Sequence, residues 1–174
     1  MPTTITATAQ ETIDLGRQLA SRLQGGEVIC LHGELGAGKT TFTKGLAAAL
    51  GVREEITSPT FTLMNVYPVG SNSYQLSRRP GPDGHRDSPS GSRRPGRDPE
   101  LASGPATSFV HIDTYRLEDE NELYAIGTQD YLGAPGTVTI VEWPEKMKAL
   151  LTDKKKIDVY FEHAPGGGRK ITIN

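Results

Sequence analysis

Cysteine, tryptophan and long apolar runs are all scarce in this chain. One cysteine, Cys30, occurs in 174 residues, so no internal disulfide can form, and a reducing compartment is the simple reading. Cys30 lies within the apolar run Val28-Ile29-Cys30-Leu31, where a buried, inert thiol is expected. No apolar stretch approaches the roughly 18 residues that would suggest a membrane span. The N-terminus has no basic region followed by an apolar core, so it does not read as a secretory signal. An excess of one charge is lacking too. Lys and Arg number 19 against 21 Asp and Glu, for a net charge of -2, so no global basic field recruits nucleic acid. These absences leave a soluble, cytoplasmic protein as the expectation. The length suits one domain, residues 1–174, able to bury a core without staples.

What the chain does have is alternation. Thr3 to Thr8 reads as a short strand, and Thr8-Ala9-Gln10-Glu11 fits a capping box. Ile13, Gly16, Leu19, Ala20 and Leu23 follow at helical spacing. Glu27 to Leu31 is a nearly continuous apolar strand, of the kind buried on both faces of a parallel sheet. A helix ends at Gly51. Thr60 to Tyr67, Phe109 to Asp113 and Thr137 to Trp143 read as strands, Asp119 to Ile126 as a helix, and Pro144 as the first residue of another helix. The segments on either side of Gly166-Gly167-Gly168 form a C-terminal β-hairpin. This order predicts a three-layer α/β fold with a mainly parallel central sheet. Residues 70–108 break the pattern. They are rich in Gly, Ser, Pro and Arg and poor in large apolar residues, so they are read as a disordered insertion. The insertion holds six Arg and four acids, leaving 13 basic and 17 acidic residues elsewhere. An acidic body suits docking to a protein better than gripping RNA alone.

The chemistry begins at His32-Gly33. Gly33, Gly38, Lys39 and Thr40 fit G-x-x-x-x-G-K-[ST] between a strand and a helix, which identifies a P-loop NTPase architecture. Backbone N–H groups across Glu34, Leu35, Gly36, Ala37, Gly38, Lys39, Thr40 and Thr41 would cradle phosphate oxygens at a helix N-terminus. Lys39 reaches the β- and γ-phosphates, and the Thr40 hydroxyl can hold Mg²⁺. Ligands in open α/β sheets lie beyond the carboxyl ends of the strands. Two acids stand there, Asp113 and Glu142. Either could be the Mg²⁺-side acid while the other orients the attacking water; as alternatives, Asp113 caps a turn and Glu142 a helix. Ser58-Pro59-Thr60 offers hydroxyls that could sense a γ-phosphate. The N-K-x-D pattern that reads guanine is absent, which favours ATP.

Taken in order, "GELGAGKTTFTKGL", "TSPTFTL", "HIDTYRL" and "YLGAPGTVTIVEWPEK" resemble the TsaE (YjeE) family. Its members are small bacterial ATPases needed for threonylcarbamoyladenosine formation in tRNA. The likeness spans nearly all the chain outside the insertion, which departs from the compact family pattern. The resemblance implies that Asp113 is the Mg²⁺-side acid and that Glu142 is needed for ATP hydrolysis. It makes Thr40 and Thr60 metal and switch residues, and it puts Trp143 near the nucleotide. Tyr115 and Arg116 match the family's "YRL". It further implies TsaB and TsaD as partners, with tRNA reached indirectly through their complex, and an ATP cycle that resets that machinery. Two other readings stay open on the residues: a P-loop small-molecule kinase, and an ATP-gated binding module that does not hydrolyse. Beyond Lys39 no convincing cation is legible for the departing γ-phosphate, so a partner is expected either to supply one or to order the segment from Ser58 to Thr60 around the nucleotide.

Overall fold

Continuous apolar strands need cover on both faces, and the fold supplies it. The computed structural model describes residues 2–70 and 106–174. Most of the expected insertion therefore lies outside the described residues. Its C-terminal edge is shorter than expected, because Ser108 already belongs to a strand and Val69 N–H bonds to the Thr107 carbonyl.

Seven strands form one sheet in the order β1-β7-β6-β2-β5-β4-β3. They are β1 Thr3–Thr6, β2 Val28–His32, β3 Met64–Pro68, β4 Ser108–Asp113, β5 Thr137–Glu142, β6 Lys156–His163 and β7 Arg169–Ile173. The centre is parallel, with β2 paired to β5 and β6, and β5 to β4. Both margins are antiparallel: β3 on β4, and β7 between β6 and β1. The C-terminal hairpin is thus β6–β7. Because β1 pairs with β7, both ends of the chain are built into one sheet.

Helices α1 Ala9–Ala20 and α2 Lys39–Leu50 cover one face, packing Phe42, Leu46 and Leu19 on Ile29, Leu31, Phe109, Ile140 and Phe161. The other face receives α3 Asn121–Ala125 and α4 Lys148–Leu151. There Leu123, Leu132, Met147, Leu150 and Leu151 bury Val28, Cys30, Val110, Ile112 and Val141. That gives the three layers. Burial pushes the Cys30 thiol up to about 12, so it stays protonated and inert. Among the described residues, no helix is long and apolar enough to cross a membrane.

Several boundaries differ from the sequence reading. The first strand ends at Thr6, since Thr8 caps α1 by accepting from Glu11 N–H while Glu11 accepts from Ala7 N–H. Thr60 to Leu63 form a turn instead of strand: Thr62 and Leu63 N–H both bond to the Pro59 carbonyl, and Leu63 has φ 61°. The helix expected from Pro144 is one 3-10 turn, Pro144–Lys146, followed by the four-residue α4.

The crossing of α1 and α2 sets where α2 starts. A Cβ on Gly16 would lie 2.3 Å from the Phe42 carbonyl oxygen, and one on Gly45 2.0 Å from the Ile13 carbonyl oxygen. Two glycines thus let the backbones touch. Gly45→Ala would gain about 1 kcal/mol of helix propensity, but the obstacle is backbone and cannot rotate away. A net destabilisation of about 1–3 kcal/mol from overpacking is expected. Urea unfolding checks this; an unchanged midpoint would contradict the close crossing.

Candidate active site

Parallel pairing brings the two acids to one level. Leu31 on β2 stands opposite Glu142 on β5, and Glu142 stands opposite Asp113 on β4. Side chains alternate along a strand, so His111 and Asp113 share the face that Phe109 turns toward α2. Both strands end beside the loop that leaves β2 and enters α2.

Here a cavity of about 280 Å³ gathers Lys39, Thr40, Asp113, Glu142, Trp143 and Arg169. Leu35, Gly36, Gly38, Thr41, Ser58, Thr60 and Tyr115 complete its wall. Glu34 and Ala37, both expected around the phosphates, line a smaller neighbouring cavity with Phe161 and Glu162. Glu34 still contributes its carbonyl oxygen, which accepts from Lys39 Nζ.

Gly38 opens α2 with φ 102°, a left-handed conformation natural to glycine. Lys39 is buried at its root, and Nζ donates to the carbonyls of Gly33 at 2.7 Å and Glu34 at 3.0 Å. Burial lowers its pKa, while the charges of Glu142, Asp113 and Glu145 pull the other way. Its ammonium also lies 4.3 Å from the Trp143 ring centre. Trp143 reaches that place through an unusual backbone, φ 61° and ψ 50°. Such a conformation costs on the order of 1–3 kcal/mol and persists only when neighbours enforce it. The enforcement is visible: Thr114 Oγ1 donates to the Trp143 carbonyl at 2.6 Å and the Glu142 carbonyl at 3.1 Å. Tyr115 packs beside the ring, 5.2 Å between centroids.

The two acids have different surroundings. Asp113 Oδ2 accepts from Ser58 Oγ at 2.6 Å and Thr60 Oγ1 at 2.7 Å, and Oδ1 accepts from Tyr115 N–H. It thereby clamps the Ser58–Thr60 segment. Glu142 Oε1 accepts from Thr40 Oγ1 at 3.2 Å and sits 3.0 Å from His111 Nε2. Since a carboxylate only accepts, Nε2 carries the proton. Nδ1 has no partner among the described residues, although the ring is fully buried. Arg116 faces away from this chemistry, lying 4.3 Å over the exposed Phe61 ring.

Two site residues escaped the sequence reading. His111 carried a usable signal: two residues before Asp113 in a strand, it must share that residue's face. Arg169 carried none. Its Nε donates to the Ala37 carbonyl at 3.1 Å, and only the β6–β7 hairpin brings it back across 132 residues of chain. It is a second cation in the cavity wall, beside Lys39.

Comparisons with known proteins bear on the family and the fold. The model of the family described as threonylcarbamoyl adenosine biosynthesis protein TsaE matches residues 6–77 and 100–171. The tRNA threonylcarbamoyladenosine biosynthesis protein TsaE of Treponema pallidum (strain Nichols) is 31% identical over 97% of this chain and 97% of its own length. The Streptomyces coelicolor protein of the same name is 34% identical over 84% of this chain and 76% of its own. The crystal structure of Bacillus subtilis YdiB has a TM-score of 0.64 at 24% identity, covering 99% of this chain and 83% of that one. It shows the same fold.

Trp143 is the one tryptophan in the sequence, and a cation now rests on its ring. A phosphate that draws Lys39 off the loop carbonyls must change that contact. Intrinsic fluorescence is therefore expected to shift in intensity on adding ATP with Mg²⁺. A silent spectrum at saturating nucleotide would place Trp143 away from the ligand.

Proposed function

The chain belongs to the TsaE family of threonylcarbamoyl adenosine biosynthesis proteins, and on that premise we propose that it is a Mg²⁺-dependent ATPase supporting tRNA threonylcarbamoyladenosine modification by driving turnover of a TsaB–TsaD transferase complex. The observation that carries this reading is one cavity uniting Lys39, Thr40, Asp113 and Glu142. The protein acts in the cytoplasm and meets tRNA through that complex.

The donors fit Mg²⁺, which favours hard oxygen ligands and keeps several waters. Among the described residues, no three His, Cys, Asp or Glu side chains form a metal cluster. Thr40 and one of the two acids would hold such an ion together with the phosphates. When bound, the ion offsets negative charge on the β- and γ-phosphates.

The protein's own groups do the rest. Loop N–H groups and the α2 terminus hold the phosphate chain, and Lys39 exchanges two carbonyl partners for phosphate oxygens, a charge-assisted gain. Asp113 takes the metal side. Ser58 and Thr60, released from its carboxylate, become donors free to meet the γ-phosphate. Glu142 orients the attacking water through Oε2, because Thr40 and His111 both occupy Oε1. Thr40 touches Glu142, so the water-orienting acid lies beside the hydroxyl that would hold Mg²⁺.

Lys39→Ala is expected to remove most ATP affinity by calorimetry, because the phosphates lose their nearest fixed cation. Asp113→Ala should raise the Mg²⁺ requirement and slow turnover. Glu142→Ala should bind ATP nearly normally yet hydrolyse it about 10²- to 10⁴-fold more slowly. A higher Mg²⁺ requirement in Glu142→Ala alone would reverse the two acids. His111→Leu should lower kcat and leave KM unchanged, while His111→Gln, which keeps an N–H donor, should recover most of it. ATPase assays of the lone chain and of the chain with purified TsaB and TsaD test the whole reading: slow hydrolysis, then clear stimulation. A phosphorylated metabolite made without partners would favour a kinase instead.

A further inference from the structure

Thr114 joins the two chain segments that carry the acids, and it is fully buried. It follows Asp113 at the end of β4. Its hydroxyl reaches the turn after β5, 2.6 Å from the Trp143 carbonyl oxygen and 3.1 Å from that of Glu142. Neither carbonyl depends on that hydroxyl for a partner. The Glu142 carbonyl also accepts from Thr114 N–H at 3.2 Å, and the Trp143 carbonyl from Lys146 N–H at 3.2 Å. A carbonyl with one donor is already satisfied. What the hydroxyl adds is a tie between the two segments.

The neighbours say what the tie positions. Trp143 holds φ 61° and ψ 50°, a left-handed backbone that a large side chain keeps only under constraint. A hydroxyl set across two successive carbonyls fixes that turn, and with it Glu142 one residue earlier. Tyr115 packs on the Trp143 ring while its N–H donates to Asp113 Oδ1. Lys146 Nζ donates to the carbonyls of Tyr115 and Leu117, a second tie between the same segments. We infer that Thr114 is a positioning residue for hydrolysis: its hydroxyl locks the end of β4 to the turn after β5 and so holds the Glu142 carboxylate and the Trp143 ring in place. The inference rests on the reading in which Glu142 orients water. Phosphate binding falls instead to the loop, Lys39 and Thr40, so loss of the tie is felt in turnover and not in affinity. A displacement of about 1 Å in an orienting group can cost on the order of 10²-fold in rate.

Thr114→Val on the full chain keeps the side-chain shape and removes the hydroxyl. Near-UV circular dichroism without nucleotide should show a weakened Trp143 signal, because the ring loses its fixed place. With purified TsaB and TsaD present, kcat for ATP should fall about 10- to 100-fold. Affinity for a non-hydrolysable ATP analogue with Mg²⁺, by calorimetry, should stay within about twofold. Thr114→Ser keeps the hydroxyl and should match the wild type in all three readouts, whereas Thr114→Ala should repeat the Val result; melting temperatures confirm folding. An unchanged kcat or an unchanged Trp143 signal in Thr114→Val would overturn the inference. A loss that falls equally on affinity and kcat, or on melting temperature alone, would overturn it as well. A wild-type chain that binds ATP and never hydrolyses it, alone or with TsaB and TsaD, would overturn the proposed function, and this inference with it.

Discussion

The site depends on a register. Parallel pairing of β2 with β5, and of β5 with β4, sets Leu31, Glu142 and Asp113 side by side. A slip of one residue would turn both carboxylates to the opposite face, because the side-chain period in a strand is two. The register is secured by burial. Phe109, Ile140 and Leu31 must enter the core under α2, and Val110, Val141 and Cys30 must enter the core on the other side. The same packing that stabilises the sheet therefore aims the acids at the phosphate loop.

Several of the site's polar groups are paired with one another. Lys39 rests on two loop carbonyls, Ser58 and Thr60 rest on Asp113, and Thr40 with His111 rests on Glu142. Each contact occupies a group that phosphate or metal chemistry would use. On the proposed reading, binding would be an exchange of partners, which limits the desolvation cost of a charged pocket. It would also couple the ligand to the Ser58–Thr60 segment and the exposed Phe61 beside it. That coupling is the kind a nucleotide-driven conformational step requires. The strained backbone at Trp143 fits the same picture, since it is pinned by Thr114 from β4's end and turns an aromatic ring onto the loop lysine.

Much of this was legible in the residues. The loop motif placed Lys39 and Thr40, and strand-end reasoning found Asp113 and Glu142. The Thr8 cap and the glycine that ends α2 were equally local signals. Other features depended on distant pairing. The turn at Thr60 to Leu63 looked like strand because its residues favour extended backbone, but two bonds to the Pro59 carbonyl prevail. The helix after Pro144 is cut short because Trp143 and Met147 leave helical geometry around a single 3-10 turn. His111 could have been found from alternation on the Asp113 strand. Arg169 could not, because its place at the loop exists only once the hairpin closes on β2 and β1.

On the proposed reading, an acidic body, a phosphate loop and a hydroxyl-bearing segment clamped by a carboxylate would serve a protein that changes state for a partner. The most direct test of that account is the time course of tRNA threonylcarbamoyladenosine formation by TsaB and TsaD, with substrate in excess, in the presence of either the wild-type chain or Glu142→Ala. The account predicts that the wild type sustains formation over many turnovers, whereas with the variant it stops near one product per transferase complex. Equal multiple-turnover formation with both chains would contradict it.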